Sequence, residues 1–235
     1  MRKVQGEDID KNINLRKYTI FDSLKDDEIA SLNIDIETHV FPRGKLLYEE
    51  DHRINGCYFV EKGIVKIFKT GIDGKEQIIR FAKEGDLIGF RSVINSELAC
   101  TTAKVIDNAQ LLYIQGVHLL DMLKQNSEFS MALMRMACKE LGESNKYITD
   151  IAQKTVRERL AEVLLLLMDS FDLDKDNYLN ISLTREELAN MVGTATESVI
   201  RLLSEFKADN LIELQGRRIK LINIPKLIKI GNVYD

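Results

Sequence analysis

In the stretch "LTREELANMVGTATESVIRLL" (residues 183–203), Glu197 and Arg201 stand four positions apart, one helical turn, on a face that also carries Ile200 and Ser204. Those side chains suit the edges of base pairs. A carboxylate accepts from cytosine N4, a guanidinium donates two parallel hydrogen bonds to guanine O6 and N7, and a branched aliphatic group meets a thymine methyl. The bland alternatives are that Glu197 only caps a helix and that Arg201 is a solvated surface arginine. Ile200 on a polar face has no such plain explanation.

The surrounding residues are those needed to hold that face outward. Thr184 with Glu187 three residues on forms a capping box, and Leu188, Met191 and Val192 follow as apolar positions. Gly193 can take the left-handed conformation that ends a helix. Thr194 with Glu197 repeats the box and predicts a second helix with Thr196 in its first turn. Its buried stripe is Val199, Leu202, Leu203 and Phe206, at i, i+3, i+4 and i+7. Two short helices joined by a glycine turn match a helix-turn-helix, whose second helix enters the major groove. The chain then ends in a hairpin, "LIELQGRRIKLIN", with Arg217 and Arg218 beside Gly216 as a wing suited to phosphates. Arg185, with Arg217, would fix register on the backbone without reading sequence.

Upstream, residues from about 35 to 115 read as short strands punctuated by glycine, with Asp73-Gly74 between two of them as in a tight hairpin. This predicts an antiparallel barrel or jelly roll. From about 117 to 153 strand signals stop, and Met134, Ala137, Leu141, Ser144, Ile148 and Ile151 form an imperfect heptad seam. A helix of roughly 25 residues would span about 37 Å. It either packs on its own domain or pairs with its twin. Gly142 interrupts it, at a cost of about 1 kcal/mol in propensity, and a close helix crossing would account for its presence. After residue 156, "VRERLAEVLLLLMDSF" is an apolar-faced helix.

Composition excludes several classes. The 235 residues are 45% hydrophobic and 30% charged, as expected of a packed globular protein. The run "VLLLLM" (163–168) is far short of a membrane span. The N-terminus lacks a signal-peptide core, so a cytoplasmic location and no membrane partner are expected. Cys57, Cys100 and Cys138 show no metal spacing and are expected to be small buried hydrophobes in a reducing compartment. The net charge is −4, yet Arg185 to Lys229 holds eight basic residues against six acidic ones, a local +2. No nucleophile–base pair, metal-spaced His/Cys group or phosphate-binding glycine loop is present, so an enzyme is not expected.

The segment "LTREELANMVGTATESVIRLLSEFKADNLIELQGRRIKL" resembles the winged helix of the bacterial cyclic-AMP-receptor/Fnr family of transcription regulators. The upstream zone resembles that family's cyclic-nucleotide-binding-like barrel, with Gly44, Gly63, Gly85-Asp86 and Gly89 in place. The resemblance covers roughly residues 18–224. It implies an α+β fold with an N-terminal double-stranded β-helix (jelly-roll) sensor in residues 1–125. A dimerisation helix in 126–153 and a winged helix-turn-helix in 154–235 follow. It further implies that Glu197 and Arg201 read DNA, within an expected DNA-binding set that also holds Thr184, Arg185, Thr194, Thr196, Ile200, Arg217 and Arg218, and that the long helix dimerises through Met134, Leu141, Ile148 and Ile151. The implied partners are a pseudo-palindromic double-stranded operator, a second copy of the chain, RNA polymerase, and a small-molecule effector whose identity is unknown.

Two departures bear on that effector. Members that bind cyclic AMP carry a Glu where this chain has Phe90, and an Arg-Ser pair where it aligns Ala99 and Cys100. A buried phosphate without its arginine loses a charge-assisted pair. The expected pocket runs through Phe90, Arg91, Ala99, Cys100 and Thr101, with Ser144 closing it, and is expected not to answer to cyclic AMP. Arg91 either turns inward to replace the missing charge or lies on the surface. There is no N-terminal cysteine cluster for iron–sulfur ligation, and His39, His52 and His118 are each read as structural rather than haem-binding. No cofactor or metal is assigned. The competing reading is a ligand-binding module whose winged helix contacts protein.

Overall fold

The computed structural model describes residues 15–232. The chain divides into two compact units, Met1–Lys69 with Arg80–Leu141, and Thr70–Ile79 with Gly142–Asp235.

The first unit is built on α1 (Asp26–Asp35), β1 (Glu37–Phe41), β2 (Leu46–Tyr48) and the long β3 (Gly56–Thr70). They are followed by β4 (Glu76–Ala82), whose first four residues are counted with the second unit, and by β5 (Leu87–Ile88), α2 (Phe90–Asn95), β6 (Thr102–Gln115) and α3 (Gly116–Gln125). The strands order as β1-β6-β3-β4, with β2 also on β6 and β5 also on β3. The β1–β6, β2–β6, β3–β5 and β3–β6 pairs are all antiparallel, as a jelly roll requires. The two long strands are buried on both faces, and alternation decides which side chains go where. Ala103, Val105, Ala109 and Leu111 of β6 join Val60, Val65 and Ile67 of β3 in the barrel core. Leu112 and Ile114 point the other way, with Cys57 and Phe59, into a second cluster with Leu15, Phe21, Phe90, Leu119 and Phe129. Where β3 and β6 slip register, Gly63 has φ +92°, and a Cβ there would collide with the Asn108 carbonyl. Glycine is what lets the bulge form.

The sequence expectations held in outline and failed in detail. The turn at Asp73-Gly74 is a five-residue loop closed by Gly71 N–H to the Lys75 carbonyl at 2.8 Å, not a two-residue turn. The helical zone is broken at Asn126, whose carboxamide accepts from the Phe129 N–H at 2.9 Å and so starts a new helix, α4 (Ser127–Gln153). At 27 residues α4 is about 40 Å long. Its inner face carries Phe129, Leu133, Met136 and Ala137 on the second cluster, so Ala137 belongs to its own domain and not to the seam. Among the described residues nothing lies within 4 Å of where a Gly142 Cβ would stand, so no close crossing among them explains that residue. Only Cys57 is a buried thiol, pushed up to about 12 by desolvation; Cys100 and Cys138 are exposed.

The second unit contains α5 (Val156–Phe171), α6 (Arg185–Val192), α7 (Thr196–Ala208), β7 (Ile212–Gln215), β8 (Arg218–Leu221) and α8 (Ile224–Gly231). Leu160, Leu164, Leu188, Val192, Val199, Leu203, Phe206, Ile219 and Leu227 are buried there. The terminal helix α8 was not expected from the sequence. Its signal is Asn223, which accepts from the Lys226 N–H at 3.0 Å, followed by Pro225 in the first turn. No helix among the described residues is long and apolar enough to cross a membrane.

Candidate nucleic-acid interface

The first helix of the motif begins where the capping box places it. Thr184 Oγ1 accepts from the Glu187 N–H at 3.0 Å, and the Glu187 carboxylate accepts from the Thr184 N–H at 2.8 Å. The Thr184 hydroxyl is thereby spent on the cap. Gly193 ends the helix with φ +71°, and a side chain there would stand 2.8 Å from Ile151 Cδ1. Several carbonyls around the turn meet side-chain donors. Arg159 Nε donates to Val192 at 2.9 Å, Lys75 Nζ to Thr194 at 2.6 Å, and Gln77 Nε2 to Asn190. Satisfying these groups in place fixes the angle between α6 and α7.

The second capping box is not formed. The cap of α7 is Ala195, which has no side-chain bond; the helix begins at Thr196, so Thr194 lies one residue too early to cap it. Thr196 is therefore the first helical residue, and Glu197, the second, is exposed near the positive end of the helix dipole. Its role is not the reciprocal cap. Val199, Leu202, Leu203 and Phe206 are buried as their spacing predicts, leaving Glu197, Ile200, Arg201 and Ser204 outward. Arg201 Nη1 lies 2.8 Å from Glu205 Oε1.

The wing differs from expectation. Arg217 is exposed at the tip, but Arg218 opens β8, where its guanidinium stacks 4.2 Å from the Tyr178 ring centroid and bonds Asp174. Arg185 Nη2 donates to the Gly216 carbonyl at 2.8 Å, and its Nη1 is buried without a partner. Both arginines hold the wing in place, a task that a list of basic residues does not reveal.

In the barrel, the residues expected to line one pocket are divided. Phe90 is packed in the second cluster with Phe21 and Phe59, whereas Ala99 sits in the barrel core. The cause is α2, which starts at Phe90 and turns its bulky first residue inward. Thr101 is buried and hydrogen-bonded to Tyr48, whose phenol burial pushes up to about 12. Arg91 is half exposed, with Nη2 at 3.0 Å from the exposed Cys100 Sγ and Nε at 3.9 Å from Glu140. Ser144 is exposed and belongs to the second unit. The cation that sequence reasoning missed is Arg80, which donates to Glu140 at 2.8 Å and lies 3.6 Å from Asp86. Sixty residues separate Arg80 from Glu140, so no local pattern could have paired them. Among the described residues, no three His, Cys, Asp or Glu side chains converge to hold a metal ion.

The family model for the Crp-like helix-turn-helix domain matches residues 158–230, and that for the cyclic nucleotide-binding domain matches residues 38–126, together more than half of the chain. The chain belongs to the Crp/Fnr family. It is a DNA-binding transcription regulator and not an enzyme. A Mycobacterium tuberculosis protein named as a CRP-like cAMP-activated global transcriptional regulator is 25% identical over 217 residues, 92% of this chain and 97% of that protein. The transcriptional activator protein Anr of Pseudomonas protegens is 25% identical over 183 residues, 77% of this chain and 75% of its own length. The structure of FixK2 from Bradyrhizobium japonicum superposes with a TM-score of 0.76 at 22% identity, covering 85% of this chain and 99% of that one. In this Crp/Fnr regulator the jelly roll lies within the match to the cyclic nucleotide-binding domain and the winged helix within the match to the Crp-like helix-turn-helix domain.

Proposed function

We propose that this regulator acts as a homodimer on a pseudo-palindromic operator, and that its barrel answers to a small molecule other than cyclic AMP. The three-part division into a sensor (1–125), a dimerisation helix (126–153) and a DNA-binding domain (154–235) is part of this reading.

The observation that carries the DNA reading is the outer face of α7. Its inner stripe is wholly buried, which leaves Glu197, Ile200 and Arg201 outward together, with Arg217 exposed on the wing. Two copies related by a two-fold axis would present two such helices to half-sites about 10 bp apart. Dimerisation is supported by α4, where Met134 (58%), Leu141 (61%), Ile148 (66%) and Ile151 (40%) are exposed although large and apolar. Residues 134, 141 and 148 share a face at seven-residue spacing, and uncovered aliphatic surface of that kind favours association. RNA polymerase is retained as a partner on family grounds alone.

The effector reading rests on what stands at the aligned positions. Phe90 supplies no carboxylate and is committed to the core, and Ala99 supplies no cation. Arg80, the buried-side cation nearby, is already engaged by Glu140 and Asp86.

The test is selection of bound duplexes from a random pool, followed by competition. A two-fold-related consensus is expected, and Arg201→Ala should lose about 1–3 kcal/mol on it while flattening preference at one base pair. Equal losses on consensus and random DNA would remove the base-reading role. Failure to select any duplex would favour protein contact by the winged helix.

A further inference from the structure

We propose that Glu205, anchored by Arg157, is a specificity-determining positioning residue that aims the guanidinium of Arg201; the inference rests on Arg201 reading a base.

Glu205 is shared. Its Oε1 accepts from Arg201 Nη1 at 2.8 Å, and its Oε2 accepts from Arg157 Nη1 at 3.0 Å. Arg157, on α5, is itself held from two further sides. Its Nη2 donates to Asp209 Oδ2 at 2.6 Å, and its guanidinium lies 4.7 Å from the ring centroid of Phe206, which is fully buried. The chain of contacts therefore runs from the domain core, through Arg157 and Glu205, to the exposed arginine.

This arrangement does little for stability. All four charged side chains are at least a third exposed, and exposed ion pairs are weak. Moreover, Arg201 precedes Glu205 in the helix, the less favourable order for an i,i+4 pair. A freely rotating Glu205 would not hold Arg201 in one rotamer; a Glu205 fixed at its other oxygen can.

The geometric consequence concerns which donors are left. A guanidinium has five N–H groups, and a fork onto guanine uses two parallel ones. With Nη1 turned to Glu205, the edge formed by Nε and Nη2 remains for O6 and N7. The electrostatic consequence has the same sense. Arg157, Arg201, Glu205 and Asp209 cancel formally, so this part of the helix offers phosphates no net charge and gains little affinity from random DNA. Glu205 thus raises discrimination twice, by ordering the reader and by lowering the background.

The experiment uses the full-length protein and the duplex that wild type selects, with a second duplex changed at the base pair whose preference Arg201→Ala flattens and a third of random sequence. Glu205→Ala should bind random DNA more tightly, yet discriminate between the first two duplexes about two- to tenfold less. Glu205→Gln, which keeps an acceptor, should recover most of that discrimination. Arg157→Ala should lower it in the same direction, and Arg157→Ala/Glu205→Ala should be no worse than Glu205→Ala alone, because both act through one contact. Discrimination unchanged in Glu205→Ala, while Arg201→Ala abolishes it, would overturn the positioning role and leave the base-reading role standing. Discrimination retained in Arg201→Ala would overturn both.

Discussion

Arg185 Nη2 donates to the backbone carbonyl of Gly216 at 2.8 Å, tying the first helix of the helix-turn-helix to the tip of the wing. The guanidinium is held partly deprived of water, which lowers its pKa, and its Nη1 is buried without a partner. Gly216 is exposed, so its carbonyl can turn to water when the donor is removed, and the loss is that of a net hydrogen bond, about 0.5–1.5 kcal/mol. Arg185→Ala is therefore expected to lower the urea midpoint without changing the m-value, and to weaken DNA binding by loosening the wing. An unchanged midpoint would return Arg185 to the phosphate-contact role.

Arg217 and Arg218 are neighbours with different expected roles. Arg217 is exposed at the tip, so Arg217→Ala should weaken all duplexes alike and reduce the slope of log K against log salt by about one. Arg218 is engaged by Asp174 and the Tyr178 ring, so Arg218→Ala should act mainly on folding and leave the salt slope near that of wild type. Filter-binding titrations between low and moderate salt separate the two.

Leu141 and Ile148 are exposed and lie seven apart on α4. Lysines placed there would face their own copies across a two-fold axis. Sedimentation of Leu141→Lys/Ile148→Lys should show monomer at micromolar concentration, with the fold intact because neither side chain belongs to the core. A surviving dimer would mean that another surface holds the copies together.

The join between α4 and α5 carries a pH dependence. Burial raises the Glu162 carboxyl, but hydrogen bonds from Lys154 and Lys146 outweigh this and hold it below its usual 4.5. A carboxylate with a depressed folded pKa stabilises fully above its unfolded pKa, and loses that contribution as pH falls through the folded value. Wild type should thus be more stable than Glu162→Gln at pH 7, and the gap should close below about pH 4.5. Denaturation series at pH 7, 5 and 3 check this. A gap independent of pH would assign the difference to packing.

Cyclic AMP is expected to bind poorly. Losing the charged partner of a desolvated phosphate costs about 2–5 kcal/mol. Calorimetry at about 1 mM cyclic AMP or cyclic GMP should show no binding tighter than about 10 μM, roughly −6.8 kcal/mol. Tighter binding would mean that another cation, such as Arg91 or Lys69 beside Cys100, replaces the missing one.

The parts of this protein that sequence alone determined are those governed by neighbours within one or two helical turns. The Thr184–Glu187 cap, the αL turn at Gly193 and the buried stripe of α7 follow from backbone sterics and a 3.6-residue period. The outward placement of Glu197 and Arg201 came with them, since a helix with one buried face has only one other. What tertiary structure decided are the pairings made across the chain. The Thr194 carbonyl met Lys75, 119 residues away, and Arg218 was drawn to Asp174, 44 residues away. Phe90 and Ala99 went to different cores because a short helix turns one of them inward. A basic residue looks the same in a sequence whether it meets a phosphate, a carbonyl or a carboxylate. Its partner is whichever acceptor the fold brings within hydrogen-bond reach, and that distance is set by packing rather than by local period.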